Sequence, residues 1–142
     1  ARDRKISRWV PLTQNANGNA VAEMLALVEL KPYRNDPVTV LPEGHRKLLD
    51  VAIALMLEPR LMIMDEPTSG VASEDKHAVM RTIMAALSER NVTSWFVEHD
   101  IDIVLAYATR AAAWIDGKVA ADGTPHAVFS DPIIRREVLG ER

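Results

Sequence analysis

The spacing of hydrophobic residues changes several times along the chain, and each change marks an element. Val21, Met24, Leu25 and Val28 recur at helical spacing behind Asn19, a good capping residue. A helix is expected there, stopped by Pro32. After a turn-rich stretch at 33–37, Leu48, Val51, Ala52 and Leu55 hold helical spacing through 45–57, until Glu58 and Pro59. Residues 61–64, Leu-Met-Ile-Met, form an apolar run too short for a comfortable helix and right for a buried strand. Ser73 is placed to cap a helix over 74–89, with Glu74 and Asp75 in its first turn, where acids suit the dipole. Its expected buried stripe is Val79, Ile83, Met84 and Leu87.

A second strand-like run, Thr93–Val97, follows, and Asp100 then caps a helix to about Ala108. Ala111–Ile115 reads as a third strand that Asp116-Gly117 turns into a fourth at 118–121. Thr124-Pro125 opens a short helix, with proline suitably at its first position, and Asp131-Pro132 opens a last one that closes near Gly140. Strand and helix alternate in the middle of the chain, which predicts an α/β fold of parallel strands with helical crossovers. Residues 1–18 are polar and read as a loose arm, and no internal repeat is visible.

Both central strands end in acids. The first runs into Asp65-Glu66-Pro67 and the second into Glu98-His99-Asp100. Open α/β sheets place their ligand sites at the carboxyl ends of strands. Two carboxylates there can hold a hydrated Mg²⁺ and orient a water, as nucleotide hydrolysis requires. The same residues also suit a plain strand end and turn. Nowhere in the 142 residues is there a G-x-x-x-x-G-K-[ST] loop to cradle phosphates. His45, His77 and His126 stand on separate elements without ligand spacing, which makes them surface residues. Met62, Met64, Met80 and Met84 read as core filling. Trp95 and Trp114, at strand-like positions, are expected to pack in the sheet or cover its face.

Composition narrows the function class. At 48% apolar and 26% charged, the 142 residues are ordinary for one globular domain. A net charge of −3 disfavours a nucleic-acid binder, and the basic residues at 2–8, Arg135 and Arg136 read as solvated faces. The absence of cysteine excludes disulfide and thiolate chemistry and fits a reducing cytoplasm. The longest apolar run, 51–57, falls far short of a membrane span. No apolar leader precedes the arm, so no secretory signal is expected.

Taken together, these stretches resemble the C-terminal half of an ATP-binding subunit of an ABC transporter. Residues 41–54, L-P-E-G-H-R-K-L-L-D-V-A-I-A, look like the L-S-G-G-Q signature and its helix. Residues 61–70 look like Walker B with its E-P-T-S-G continuation, and Val97-Glu98-His99-Asp100 looks like the H-loop. The wording L-x-x-G-x-x-x-L-L-x-V-A, E-H-D-I-D and the terminal V-L-G-E is closest to the branched-chain amino acid importer subgroup. The resemblance implies a partial P-loop NTPase fold lacking its N-terminal phosphate-loop part. It divides the chain into the arm at 1–18 and an ATP-binding part at 19–142, with a helical signature segment at 19–58 and Walker B to the C-terminus at 59–142.

By the resemblance, Asp65 is the Mg²⁺ residue, Glu66 polarises the attacking water, and His99 senses the γ-phosphate. Leu41, Pro42, Glu43, Gly44 and His45 are the signature residues offered to ATP, with Gly44 at a helix N-terminus suited to a phosphate. The implied partners are a membrane subunit and a second ATP-binding subunit, at the inner face of the plasma membrane. Pro42 replaces the signature serine, Glu43 adds a negative charge, and Ala72 replaces the usual D-loop acid or amide. Pro42 loses a hydroxyl and an N–H, and Ala72 is expected to weaken contact across a dimer. Two functions follow from this pattern. One is the ATP-hydrolysing component of an amino acid importer, inactive as an isolated chain; the other is a non-catalytic, ABC-derived module that self-associates. In the family the phosphate-loop strand lies between the strand ending at His99 and that at Ala111–Ile115. Without it an open edge is expected beside Phe96 and Trp114, closed by self-association through strand pairing or exchange, a two-fold dimer first, or by rearrangement of the chain's own strands.

Overall fold

The computed structural model describes residues 16–139; the polar arm lies almost wholly outside that range. Helix α1 (Ala16–Leu27) leads through two short 3₁₀ turns to helix α2 (Glu43–Leu55). Strand β1 (Leu61–Asp65), helix α3 (Lys76–Glu89) and strand β2 (Thr93–Val97) form a βαβ unit. Helix α4 (Ile101–Tyr107), strands β3 (Ala111–Ile115) and β4 (Lys118–Gly123), and helices α5 (Pro125–Ser130) and α6 (Pro132–Leu139) complete the chain.

Strands β1 and β2 pair in parallel, with Ile63 opposite Trp95 and Asp65 opposite Val97. Strands β3 and β4 form a separate antiparallel hairpin around Asp116 and Gly117, both at positive φ. The main core is built on α3. Met80 and Ile83 are fully buried, Leu87 nearly so, and they meet Met62 and Met64 of β1, the buried face of α2, and Ile103 of α4. Ala113, Val128 and Ile134 make a smaller core beneath the hairpin.

Helix α1 starts before Asn19 rather than at it. Burial of Met24 and Val28 against the core holds the segment helical despite the low propensity of Asn17, Gly18 and Asn19. Nor does Pro32 stop the helix. Glu29 turns left-handed (φ 61°), and the Leu30 N–H donates to the Leu25 carbonyl at 2.7 Å, closing a Schellman cap on buried Leu30. Ser73 does not cap α3. Residues 73–75 form a turn, and the helix begins at Lys76. Thr124 does cap α5, its hydroxyl accepting the Ala127 N–H.

Trp95 and Trp114 are exposed, at 57% and 60%, rather than packed within the sheet. Phe96 points the other way and packs against the main core. The uncovered face of the parallel pair consists of Leu61, Ile63, Trp95 and Val97, all at least 48% exposed. Among the described strands β2 pairs with β1 alone, so its other edge is open, and the apolar side chains exposed beside it are Trp95 and Val97 rather than Phe96.

Gly44 marks the closest approach of α2 to α3. A Cβ there would stand 2.8 Å from Val79 Cγ2, inside the core. Valine is stiff at χ1 and cannot swing aside, so the missing side chain is a packing requirement between the two helices. Gly44→Ala should gain about 1 kcal/mol of helix propensity but lose about 1–3 kcal/mol to overpacking. Net destabilisation in urea unfolding is expected. Combining it with Val79→Ala should cost less than the sum of the two single changes.

Lys76, in the first turn of α3, donates to Asp100 ahead of α4 at 2.8 Å, tying the two helices together. That hydrogen bond holds the Asp100 carboxyl below the usual carboxylate range and pushes Lys76 up. Asp100 is harder to protonate when folded, so the pair's contribution is fully present above the ordinary carboxylate value of about 4. It is lost as pH falls through the lower folded value. Urea unfolding across pH should show Asp100→Asn less stable than the parent by a constant margin from about pH 5 to 8. That margin should shrink to nothing in stronger acid.

Candidate functional site

The site lies at the carboxyl ends of β1 and β2, where two loops leave the sheet side by side. Asp65 is exposed at the tip of β1. Glu66 follows in the left-handed region, φ 46°, its N–H donating to the Val97 carbonyl of β2 at 2.9 Å. A non-glycine residue adopts that conformation only where its surroundings impose it. Here the anchors are Val97, the Ser69 N–H on the Glu66 carbonyl (3.0 Å), and Lys47 of α2 reaching the same carbonyl at 3.4 Å.

The effect of this turn is to aim the Glu66 carboxylate at the second loop. Its Oε1 stands 3.2 Å from His99 Nε2. The two side chains remain accessible, at 45% and 81% exposure, as groups that must meet a ligand need to be. Both border a cleft of about 260 Å³, which also takes in Thr68, Ser69, Gly70, Lys76, Glu98 and Asp100. Residues 33 apart in sequence and read separately as chemical candidates thus face each other.

The two loops are joined underneath by groups whose roles the sequence did not reveal. Thr68 is 1% exposed, and both its N–H (2.9 Å) and its hydroxyl (2.5 Å) donate to Glu98 Oε1. Glu98 Oε2 accepts the N–H groups of His99 (3.1 Å) and Asp100 (3.5 Å). Lys47 and Lys76 bring positive charge to the same end of the sheet. A polar residue four positions past an apolar strand carries no sign that it will be buried, so Thr68 could not be singled out in advance.

The signature-like residues do not join Glu66 and His99. None of Leu41, Pro42, Glu43, Gly44 and His45 lines the cleft. Leu41 is buried, and the Arg46 guanidinium donates to its carbonyl at 2.9 Å. Pro42 precedes α2 in extended conformation, and Glu43 pairs with Arg46 at 3.5 Å. Glu43 also lies beside Gly70, whose Cβ would fall 3.2 Å from Glu43 Cγ. His45 is not the plain surface residue expected. Its ring meets that of Tyr33 at a tilt of 43° with centroids 4.7 Å apart, and its buried Nδ1 finds no partner among the described residues. His77 and His126 are exposed, as expected.

No cluster of three or more potential metal ligands occurs among the described residues. The donor set therefore does not fit an all-protein metal cage. It does fit Mg²⁺, which is commonly held by one or two carboxylates together with substrate phosphates. No helix among the described residues is long and apolar enough to cross a membrane.

The ABC transporter family profile matches residues 2–69. A putative ABC transporter ATP-binding protein of Enterococcus faecalis is 40% identical over 112 residues, which are 78% of this chain and 19% of the relative. The high-affinity branched-chain amino acid transport ATP-binding protein BraF of Pseudomonas aeruginosa is 30% identical over 120 residues, 84% of this chain and 47% of the relative. The crystal structure of the ADP conformation of an ATP-binding cassette of an ABC transporter superposes with a TM-score of 0.77 at 27% identity. It covers 95% of this chain and 54% of that one. The chain thus spans less than half the length of the two sequence relatives and about half of the solved cassette. The α/β fold is that of ABC ATPase cassettes, and over about four-fifths of its length the chain is similar in sequence to ATP-binding proteins of ABC transporters.

Proposed function

We propose that the chain is the ATP-hydrolysing component of an ABC-type importer, with amino acids as the transported solute, and that its residues 59–142 run from Walker B to the C-terminus. The observation that carries the reading is the 3.2 Å approach of Glu66 to His99 at the ends of adjacent parallel strands. Phosphoryl transfer to water needs a positioned nucleophile and stabilised charge rather than covalent chemistry. In this reading Glu66 accepts a hydrogen bond from the attacking water and orients it, while His99 reaches the γ-phosphate. Asp65, at the strand tip, holds Mg²⁺ through water; the ion, when bound with ATP, neutralises charge on the phosphates. The amino acid solute is supported by the likeness to the branched-chain transport protein.

Residues 41–45 act outward in this scheme. They lie outside the cleft and are assigned to nucleotide held by a second ATP-binding subunit, with the helical segment 19–58 presenting them. Pro42 offers no N–H and Glu43 adds a negative charge, so this grip is weaker than a serine-glycine pair provides. A membrane subunit at the inner face of the plasma membrane is the other partner.

The 142 residues contain no phosphate-cradling loop. The isolated chain should therefore bind Mg-ATP weakly in a titration and hydrolyse it negligibly. When a phosphate-loop segment complements it, turnover should appear, and Glu66→Gln should lower it by about 10²–10⁴-fold while leaving nucleotide binding intact. Brisk turnover by the 142 residues alone, abolished by Glu66→Gln, would overturn the assignment of the phosphate grip to another segment.

A second reading, a non-catalytic module that self-associates, is favoured by one feature: the open face of Leu61, Ile63, Trp95 and Val97. Apolar patches on monomers are usually covered by partners. On this reading sedimentation should show concentration-dependent dimers, and Trp95→Lys with Ile63→Lys should shift them to monomer. A monomer at every concentration would count against it.

A further inference from the structure

Glu98 has four donors and no free lone pair on its inner side. Oε1 takes the N–H and hydroxyl of Thr68, in the loop that follows Glu66, and Oε2 takes the N–H groups of His99 and Asp100 in its own loop. One carboxylate therefore ties the loop bearing Glu66 to the loop bearing His99. Charge-assisted bonds of this kind are short and strong compared with neutral ones. We propose that Glu98 is a positioning residue: through buried Thr68 it yokes the two loops and so sets the separation of Glu66 from His99. The proposal rests on the functional reading of that pair given above.

Two observations support it. Glu66 is held at φ 46°, a conformation a glutamate keeps only when its surroundings over-determine it. Its own backbone bonds, to Val97 and Ser69, fix the near side of the turn, and the Thr68–Glu98 bonds fix the far side. Glu98 is also unsuited to the alternative role of base. Glu98 borders the cleft too, but its oxygens are engaged by protein donors, whereas the Glu66 carboxylate is accessible and, among the described residues, meets His99. The carboxylates at the two strand ends thus divide their work, one toward ligand and one toward scaffold. Asp100 adds a second tie through Lys76, on the helix side of the cleft.

Thr68 is the place to test the yoke, since it lies one residue beyond Pro67 and touches neither reacting group. In NMR of the chain at neutral pH, Thr68→Val, which loses the hydroxyl bond to Glu98 and keeps the backbone N–H bond, should weaken the Glu66–His99 side-chain NOEs and shift the His99 ring signals. Thr68→Ser, which keeps the hydroxyl, should restore both. Glu98→Gln should act as Thr68→Val does, because its amide opposes the N–H donors. If Glu98→Gln fails to fold, Thr68→Val with its serine rescue still decides. His99 signals and NOEs unmoved by Thr68→Val would overturn the proposal. In the complemented protein, Thr68→Val should lower kcat by about tenfold to a hundredfold with KM little changed. Weakened NOEs with kcat unmoved would leave the yoke standing and sink the catalytic reading of Glu66 and His99 instead.

Discussion

Helix α3 is the surface on which the rest of the molecule is laid. It leaves the end of β1, returns the chain to the start of β2, and buries Met80, Ile83, Ala86 and Leu87 almost completely. Parallel strands need such a crossover, because no short turn can join them. The buried stripe of α3 receives the inward residues of β1 and Phe96 of β2 on one side and the face of α2 on another. Each fully buried aliphatic side chain contributes about 1.5–3 kcal/mol relative to exposure. A handful of them decides where the strand ends come to rest. The packing is tight enough that Gly44 leaves room for Val79 and nothing more.

With both strands seated on one helix, their carboxyl ends emerge together and their acids must be accommodated. A cluster of carboxylates is unfavourable unless donors or cations answer it. The chain answers it in three ways. Glu98 is surrounded by N–H and hydroxyl donors, Asp100 is paired with Lys76, and Glu66 is left accessible against His99. Asp65 alone stays on the open face. The arrangement separates scaffold carboxylates from those open to a ligand, and it does so by backbone geometry as much as by side-chain choice. The positive φ of Glu66 is what rotates its carboxylate away from the core and toward the second loop.

Much of this architecture was legible in the amino-acid order. The buried face of α2, Leu48, Val51, Ala52 and Leu55, follows directly from periodicity, as does the parallel pairing of two apolar runs that alternate with helices. Element ends were less legible, since capping depends on local geometry that residue types do not determine. Glu29 and Asn91 both take the left-handed position normally given to glycine, and Ser73 forms a turn where a cap was expected. At the site, the acid-tipped strand ends pointed to Asp65, Glu66 and His99, but a plain strand end and turn suits the same residues, and only the resemblance to ABC ATP-binding subunits gave each an expected role. Thr68 and Glu98 could not be assigned. Their roles appear only when two loops thirty residues apart are brought within hydrogen-bonding distance. His45 was misread for a related reason: its ring contact with Tyr33 is a contact between segments.

Strand β1 explains why the two functional readings both remain physically grounded. Its first four residues, Leu-Met-Ile-Met, are all apolar rather than alternating with polar ones, the pattern of a strand covered on both faces. The described residues cover one. Met62 and Met64 are buried beneath the helices, while Leu61 and Ile63 face outward beside Trp95 and Val97. A strand composed this way is at its most stable when something apolar lies against the second face. The ATPase reading assigns that cover to a phosphate-loop segment, which would bring the phosphate grip and the cover of the open face together. The interaction reading assigns it to a second copy, which would supply the cover and no phosphate grip. The same four side chains are demanded by both, so their exposure alone cannot favour catalysis over association. What separates the readings is the other end of the strand, where burying apolar surface requires no glutamate turned to positive φ against a histidine.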